Sequence, residues 1–160
     1  MSGTALSTLV FFGLTALVPS RAPDQEALCT AADRHLVSRG MVTVVEPDTI
    51  DDWRTDRLVE GCRITAAGVT RRSLRTEARL FYDALREAGW SRTPDPQDAP
   101  NEASLRFRME ESDCLFNVYS GGLLGTDAEL DVDDQAVPGP GELRYNLLVL
   151  CTPAADPAPS

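Results

Sequence analysis

Between Ser73 and Ala88 the apolar residues Leu74, Ala78, Phe81, Leu85 and Ala88 step by four, three, four and three, which puts them on one stripe of a helix. Thr70 or Ser73 suits the cap at its start, and Gly89 fits the left-handed position just past its end. A shorter helix is predicted after Asp24, where Leu28, Ala31, Ala32 and Leu36 recur at helical spacing up to Arg39-Gly40. Cys29, Ala32 and Leu36 share its inner side.

Elsewhere the period is two. Leu58, Cys62, Ile64 and Ala66 share one face of a strand whose centre is weakened by Gly61, a candidate bulge. Leu105, Phe107 and Met109 alternate with Arg106, Arg108 and Glu110. Glu111-Ser112-Asp113 then turns the chain into a partner strand carrying Cys114, Phe116 and Val118 on one parity, so the pair reads as a hairpin. Leu143, Tyr145, Leu147, Val149 and Cys151 define a further strand. Met41 to Val45 is a short β-branched run stopped by Glu46-Pro47, an edge strand by its proline. Residues 48–57 and 93–101 read as polar loops, with Trp53 covering the core edge. Residues 120–141 read as a glycine-rich, acidic loop.

The stretch from Ser2 to Ser20 has no charged side chain and holds the apolar run Leu9 to Leu14, then Ala16, Leu17 and Val18. Residues 1–22 therefore read as a signal peptide, with cleavage after Ser20 favoured over Ala22 because Pro23 follows the latter. No Lys or Arg precedes the run, so an uncleaved N-terminal anchor is the rival reading. Residues 23–152 form the single domain, and 153–160 a disordered tail.

The four cysteines, Cys29, Cys62, Cys114 and Cys151, all follow the apolar segment, and none forms a C-x-x-C. An even number in an exported chain predicts two disulfides and a secreted or periplasmic location. Cys62, Cys114 and Cys151 each lie on the apolar parity of their strand. If the strands of Cys114 and Cys151 are antiparallel neighbours, a bridge between them is natural, which favours Cys29–Cys62 with Cys114–Cys151.

Composition narrows the function classes. All 15 basic residues are arginine against 25 acidic ones, a net charge of −10 in 160 residues. Such a field repels phosphate, so nucleic acid and anionic membrane surfaces are not expected partners. The one histidine, His35, lies in a predicted helix with no triad spacing around it, and G-x-S-x-G, S-x-x-K and H-E-x-x-H are absent from the sequence. No cofactor motif is found. Asp127, Glu129, Asp131 and Asp133 alternate in the acidic segment, a pattern that can hold calcium outside the cell. Counted from Asp127, however, position six is Val132 and position twelve Pro138, a poor EF-hand, and a solvated acidic loop is the plainer reading. Trp90 reads as helix-end packing before sugar binding. Arg72, Arg75, Arg79 and Arg86 lie off the apolar stripe of the main helix as a locally basic face, which reads first as a solvated one with pairs such as Arg79–Asp83 and, as the alternative, as a surface for an acidic partner.

The expected architecture is α+β: a mainly antiparallel sheet of four or five strands, one long helix on one face, and a short N-terminal helix, stapled by disulfides. The expected role is a non-catalytic binding or interaction module for a protein or small ligand. The alternatives are a small extracellular hydrolase using acidic residues, or a structural envelope protein.

Overall fold

The computed structural model describes residues 25–93 and 103–155. The expected signal peptide or anchor, most of the Pro/Asp loop and the last five residues of the expected tail lie outside the described residues.

A 3-10 turn at Gln25–Cys29 leads into α1 (Thr30–Ser38), which stops where Gly40 turns with φ +77°. Then follow β1 (Val42–Asp52), β2 (Arg57–Thr70), α2 (Leu74–Glu87), β3 (Ser91–Arg92), β4 (Ser104–Met109), β5 (Ser112–Tyr119), α3 (Asp127–Gln135) and β6 (Leu143–Pro153). The six strands form one sheet in the order β1-β2-β6-β5-β4-β3, and every pairing is antiparallel.

This corrects the expected sheet of four or five strands under one long helix. The main helix has only 14 residues. At 1.5 Å per residue it is about 21 Å long, whereas 14 residues of extended chain in β2 reach about 46 Å. It therefore covers only part of the sheet, and the rest of the layer is shared. The 3-10 turn, α1 and α2 pack on the face carrying Cys62, Ile64, Ala66, Phe116 and Leu147. Helix α3 lies on the opposite face, where Val132 and Ala136 meet Ala67 flanked by Val42 and Val44. Ala66 and Ala67 are neighbours in sequence and point to opposite sides, as pleating requires.

Three further expectations change. Strand β1 does not stop at Pro47. It runs on to Asp52, because β1 is the outermost strand and a proline there gives up no ladder bond to a second neighbour. Gly61 marks no bulge, since the β1–β2 register is unbroken through Asp48↔Gly61. Its lack of a side chain serves close packing: a Cβ there would overlap the Cys151 carbonyl oxygen and sit 2.8 Å from Ile50 Cδ1. The acidic segment is not all loop, because Asp127–Gln135 is helical, with the Thr126 side chain accepting from the Glu129 N–H at its start.

The core beneath α2 is aromatic. Phe81 meets Phe116 at 5.6 Å between ring centroids and Tyr82 stacks on Phe107 at 5.8 Å, while Trp90 sits edge-on to Phe116 at 5.5 Å. Trp90 is thus a packing residue. Two disulfides complete this layer, Cys29–Cys62 and Cys114–Cys151, with all four cysteines fully buried. The second joins directly opposite residues of β5 and β6. Strand β6 runs through Pro153. Ala154 and Ala155 stay tied to the β4–β5 hairpin, through Glu111 O at 2.7 Å and Asp113 Oδ2 at 3.0 Å, so residues 153–155 are held to the fold.

Candidate functional site: an arginine-rimmed groove

The sequence of α2 sorts its residues into two sides. Ala78, Phe81, Tyr82 and Leu85 are buried against the sheet, while Arg75, Arg79 and Arg86 are exposed. Ser73 begins the helix by accepting from the Thr76 N–H at 3.3 Å. Where the helix passes the start of β4 the two elements do not close on each other, leaving an open groove of about 910 Å³. Leu74, Ala78 and Tyr82 from α2, Leu105 from β4 and Val118 from β5 line its apolar floor. Arg75, Arg79 and Arg86 stand on one wall, and Arg92 of β3 on the other.

The floor is held in place by Tyr82. Its hydroxyl lies 2.7 Å from the Ala103 carbonyl oxygen and 3.0 Å from that of Phe116, so its one proton is shared between the turn that leads into β4 and strand β5. Burial pushes this phenol well above its ordinary range, outweighing the opposite pull of nearby backbone and Arg92. Tyr82 therefore stays a neutral anchor. Among the described residues the rim carries Arg75, Arg79, Arg86 and Arg92 together with Asp83, which pairs with Arg86 at 2.7 Å. That pair is exposed and contributes little to stability. Arg86 also places its guanidinium carbon 5.8 Å from the Phe107 ring centroid.

Of the basic face read from the sequence, Arg75, Arg79 and Arg86 belong to the groove and Arg72 does not. Arg72 turns back to Glu77, 3.3 Å away, which also accepts from the Thr70 hydroxyl at 2.8 Å. Arg92 is the member that sequence reasoning missed. It belongs to a two-residue strand with no periodicity to find, and only the pairing of β3 with β4 places it opposite α2.

The acidic residues of α3 do not converge. Alternate positions on a helix differ by about 200°, so Asp127 and Asp131 face solvent while Glu129 and Asp133 turn inward. Glu129 is 2% exposed. Its Oε1 accepts from the Tyr119 hydroxyl at 2.8 Å and Leu123 N at 3.0 Å, and its Oε2 from Leu124 N at 2.9 Å and Gly125 N at 2.8 Å. Burial alone raises its pKa, but the three backbone donors and the phenol together hold the carboxyl below its usual range. Asp133 is engaged by Arg144 at 2.8 Å and Asn146 at 2.6 Å. Among the described residues, the one close group of potential metal ligands is Cys29, Cys62 and Cys151, all disulfide-bonded.

A second buried network lies at the far end of the sheet. Asp113 accepts from Arg108 Nε at 2.6 Å, Arg54 Nη1 at 3.1 Å and Ala155 N at 3.0 Å. Arg54 bridges onward to Asp52 at 2.9 Å. Burial acts to raise both carboxyls and the arginines overcome it, keeping both below the ordinary aspartate value. Trp53 lies in the β1–β2 turn with the Arg106 guanidinium carbon 5.0 Å from its ring centroid. His35 is half-buried and edge-on to Phe81 at 5.8 Å. Burial, then the charge of Arg39, lowers its pKa.

In comparisons with known proteins, no family model, no curated protein and no solved structure matches this chain. Two disulfides fit an oxidising location, extracellular or periplasmic. No helix among the described residues is long and apolar enough to cross a membrane.

Proposed function

We propose that this chain is an exported, non-catalytic binding module whose α2 groove takes an anionic ligand with an apolar body. The observation that carries the reading is that, among the described residues, Arg75, Arg79, Arg86 and Arg92 rim an apolar floor on a chain of net charge −10. Screening limits exposed charges to a reach of about 8 Å at physiological ionic strength, so the rim rather than the net charge sets what a bound anion feels. The groove's volume falls within the range of about 300–1,000 Å³ typical of small-molecule sites. The most buried carboxylates described, Asp52, Glu77, Asp113 and Glu129, are each engaged by arginines, hydroxyls or backbone N–H groups, which favours binding over carboxylate chemistry. Export is supported by the uncharged apolar N-terminal segment together with the two disulfides.

Calorimetric titration with decanoate, decanol and decyltrimethylammonium tests the reading. Decanoate is expected to bind best, with affinity falling as salt rises. Arg79→Glu combined with Arg92→Glu is expected to weaken it at least roughly tenfold while the urea midpoint stays unchanged, since both side chains are exposed. No decanoate binding, equal binding of the cation, or an unaffected double variant would overturn it.

A further inference from the structure

Strands β2, β6 and β5 place three cysteines in one row. Cys151 of β6 is the direct partner of Cys62 on one side and of Cys114 on the other, and all three point to the same face. Cys29, on the 3-10 turn, lies over that row. The sulfurs of Cys29, Cys62 and Cys151 all lie within 4.8 Å of one another, although Cys151 is bonded to Cys114. Two disulfides that meet at this distance are chemically coupled, because a thiolate freed from one is already beside a sulfur of the other.

We propose that the four cysteines form a single thiol–disulfide exchange site, with Cys151 as the sulfur attacked and an external dithiol as the substrate that starts the reaction. Cys29–Cys62 is the bond that opens first. Cys29 sits on a five-residue turn whose Gln25, Glu26 and Ala27 are not buried, whereas Cys114–Cys151 lies between two central paired strands. Local opening reaches such short elements at lower cost than paired strands in a sheet.

The dithiol transfers two electrons, reducing Cys29–Cys62 to two thiols and becoming a disulfide itself. The Cys62 thiolate then attacks Cys151 Sγ, the Cys62–Cys151 bond forms and the Cys114–Cys151 bond breaks. Cys114 leaves as a thiolate and takes up the proton that Cys62 gave up. This second step consumes no oxidant or reductant. Cys62 rather than Cys29 is the nucleophile because the β2–β6 ladder holds it opposite Cys151, while Cys29 moves away with its turn. The product carries a cross-strand Cys62–Cys151 bond and releases the N-terminal turn from the sheet.

The test treats the folded, full-length protein with one equivalent of dithiothreitol, traps thiols with N-ethylmaleimide at successive times and maps the linked peptides. A Cys62–Cys151 peptide with Cys29 and Cys114 alkylated is expected. Alkylation of Cys29 and Cys62 with Cys114–Cys151 intact throughout, or of all four cysteines with no Cys62–Cys151 species at any time, would overturn the proposal. Cys29→Ser removes the need for a reductant. Its single free thiol is expected to divide between Cys62 and Cys114, exchanging about tenfold faster per pH unit below the thiol range. A free thiol confined to Cys62 at every pH refutes it.

Discussion

Glu129 is a charged group in a site with almost no exposure, and replacing it by glutamine tests how that charge is held. The carboxylate presents two oxygens to four donors, two on each. An amide presents only one oxygen; with its NH₂ toward Tyr119 and Leu123 the phenol can turn to accept from it, but Leu123 N is left without an acceptor and the Tyr119 bond no longer goes to a charge. Two hydrogen bonds to a charged group are lost, each worth about 1.5–3 kcal/mol. Water reaches the exposed Leu123 and Gly125 and relieves part of the loss, leaving a cost of about 3 kcal/mol. At roughly 2–4 °C per kcal/mol for a chain of this size, the melting temperature of Glu129→Gln should fall by about 6–12 °C.

The pH dependence carries the sign. The folded carboxyl titrates below its unfolded value of 4.5, so its contribution is complete above that value and is lost as pH falls through the folded pKa. Urea unfolding followed by fluorescence of the buried Trp90, at pH 7 and at steps below pH 4.5, measures both effects. The wild type should lose stability over that acid window and the variant should lose less, keeping only the share due to carboxyls such as Asp52 and Asp113. A variant within about 0.5 kcal/mol of wild type at pH 7, or with an identical acid slope, would refute the account.

Other substitutions probe other supports. Gly61→Ala drives a methyl group into the Cys151 carbonyl oxygen of a central strand and should cost at least about 2 kcal/mol. An unchanged urea midpoint would show that β2 and β6 part more easily than their packing implies. Asp113→Ala removes an acceptor shared by Arg54, Arg108 and Ala155 N from a fully buried position, and a loss of about 3–5 kcal/mol is expected in the same assay. A loss under about 1 kcal/mol would mean that the arginines find other acceptors readily.

What the sequence made legible follows from how local the physics is. Helix α2 announces itself because Leu74, Ala78, Phe81 and Leu85, a serine cap and Gly89, with φ +91°, agree on the same 14 residues, while Ala88 is the exposed cap at the end. The inward parity of Cys62, Cys114 and Cys151 was legible for the same reason, since period two is a local property. Helix α3 was hidden because its acids alternate and only Ala128, Val132 and Ala136 face the sheet, a narrow apolar line. Yet Thr126-Asp127-Ala128-Glu129 is a capping-box spacing, a signal that was present. The second half of β1 was obscured by polar residues that suit an outer strand, and β3 by its brevity. The groove was half legible, since its α2 wall is a helical face, but its second wall depends on which strand meets that helix. The coupling of the disulfides is wholly tertiary: Cys62 and Cys151 become neighbours only because β6 inserts between β2 and β5.

That insertion also fixes when the molecule can become itself. Strand β6 follows every other strand in chain order yet occupies the interior of the sheet, so β2 and β5 each wait with an open edge until it arrives. The two halves, β1-β2 and β5-β4-β3, have no ladder in common without it. A nascent chain lacking residues 143–153 therefore holds two unjoined fragments and one cysteine too few. Joining of the two halves into one sheet therefore waits on residues 143–153, the strand that pairs with both.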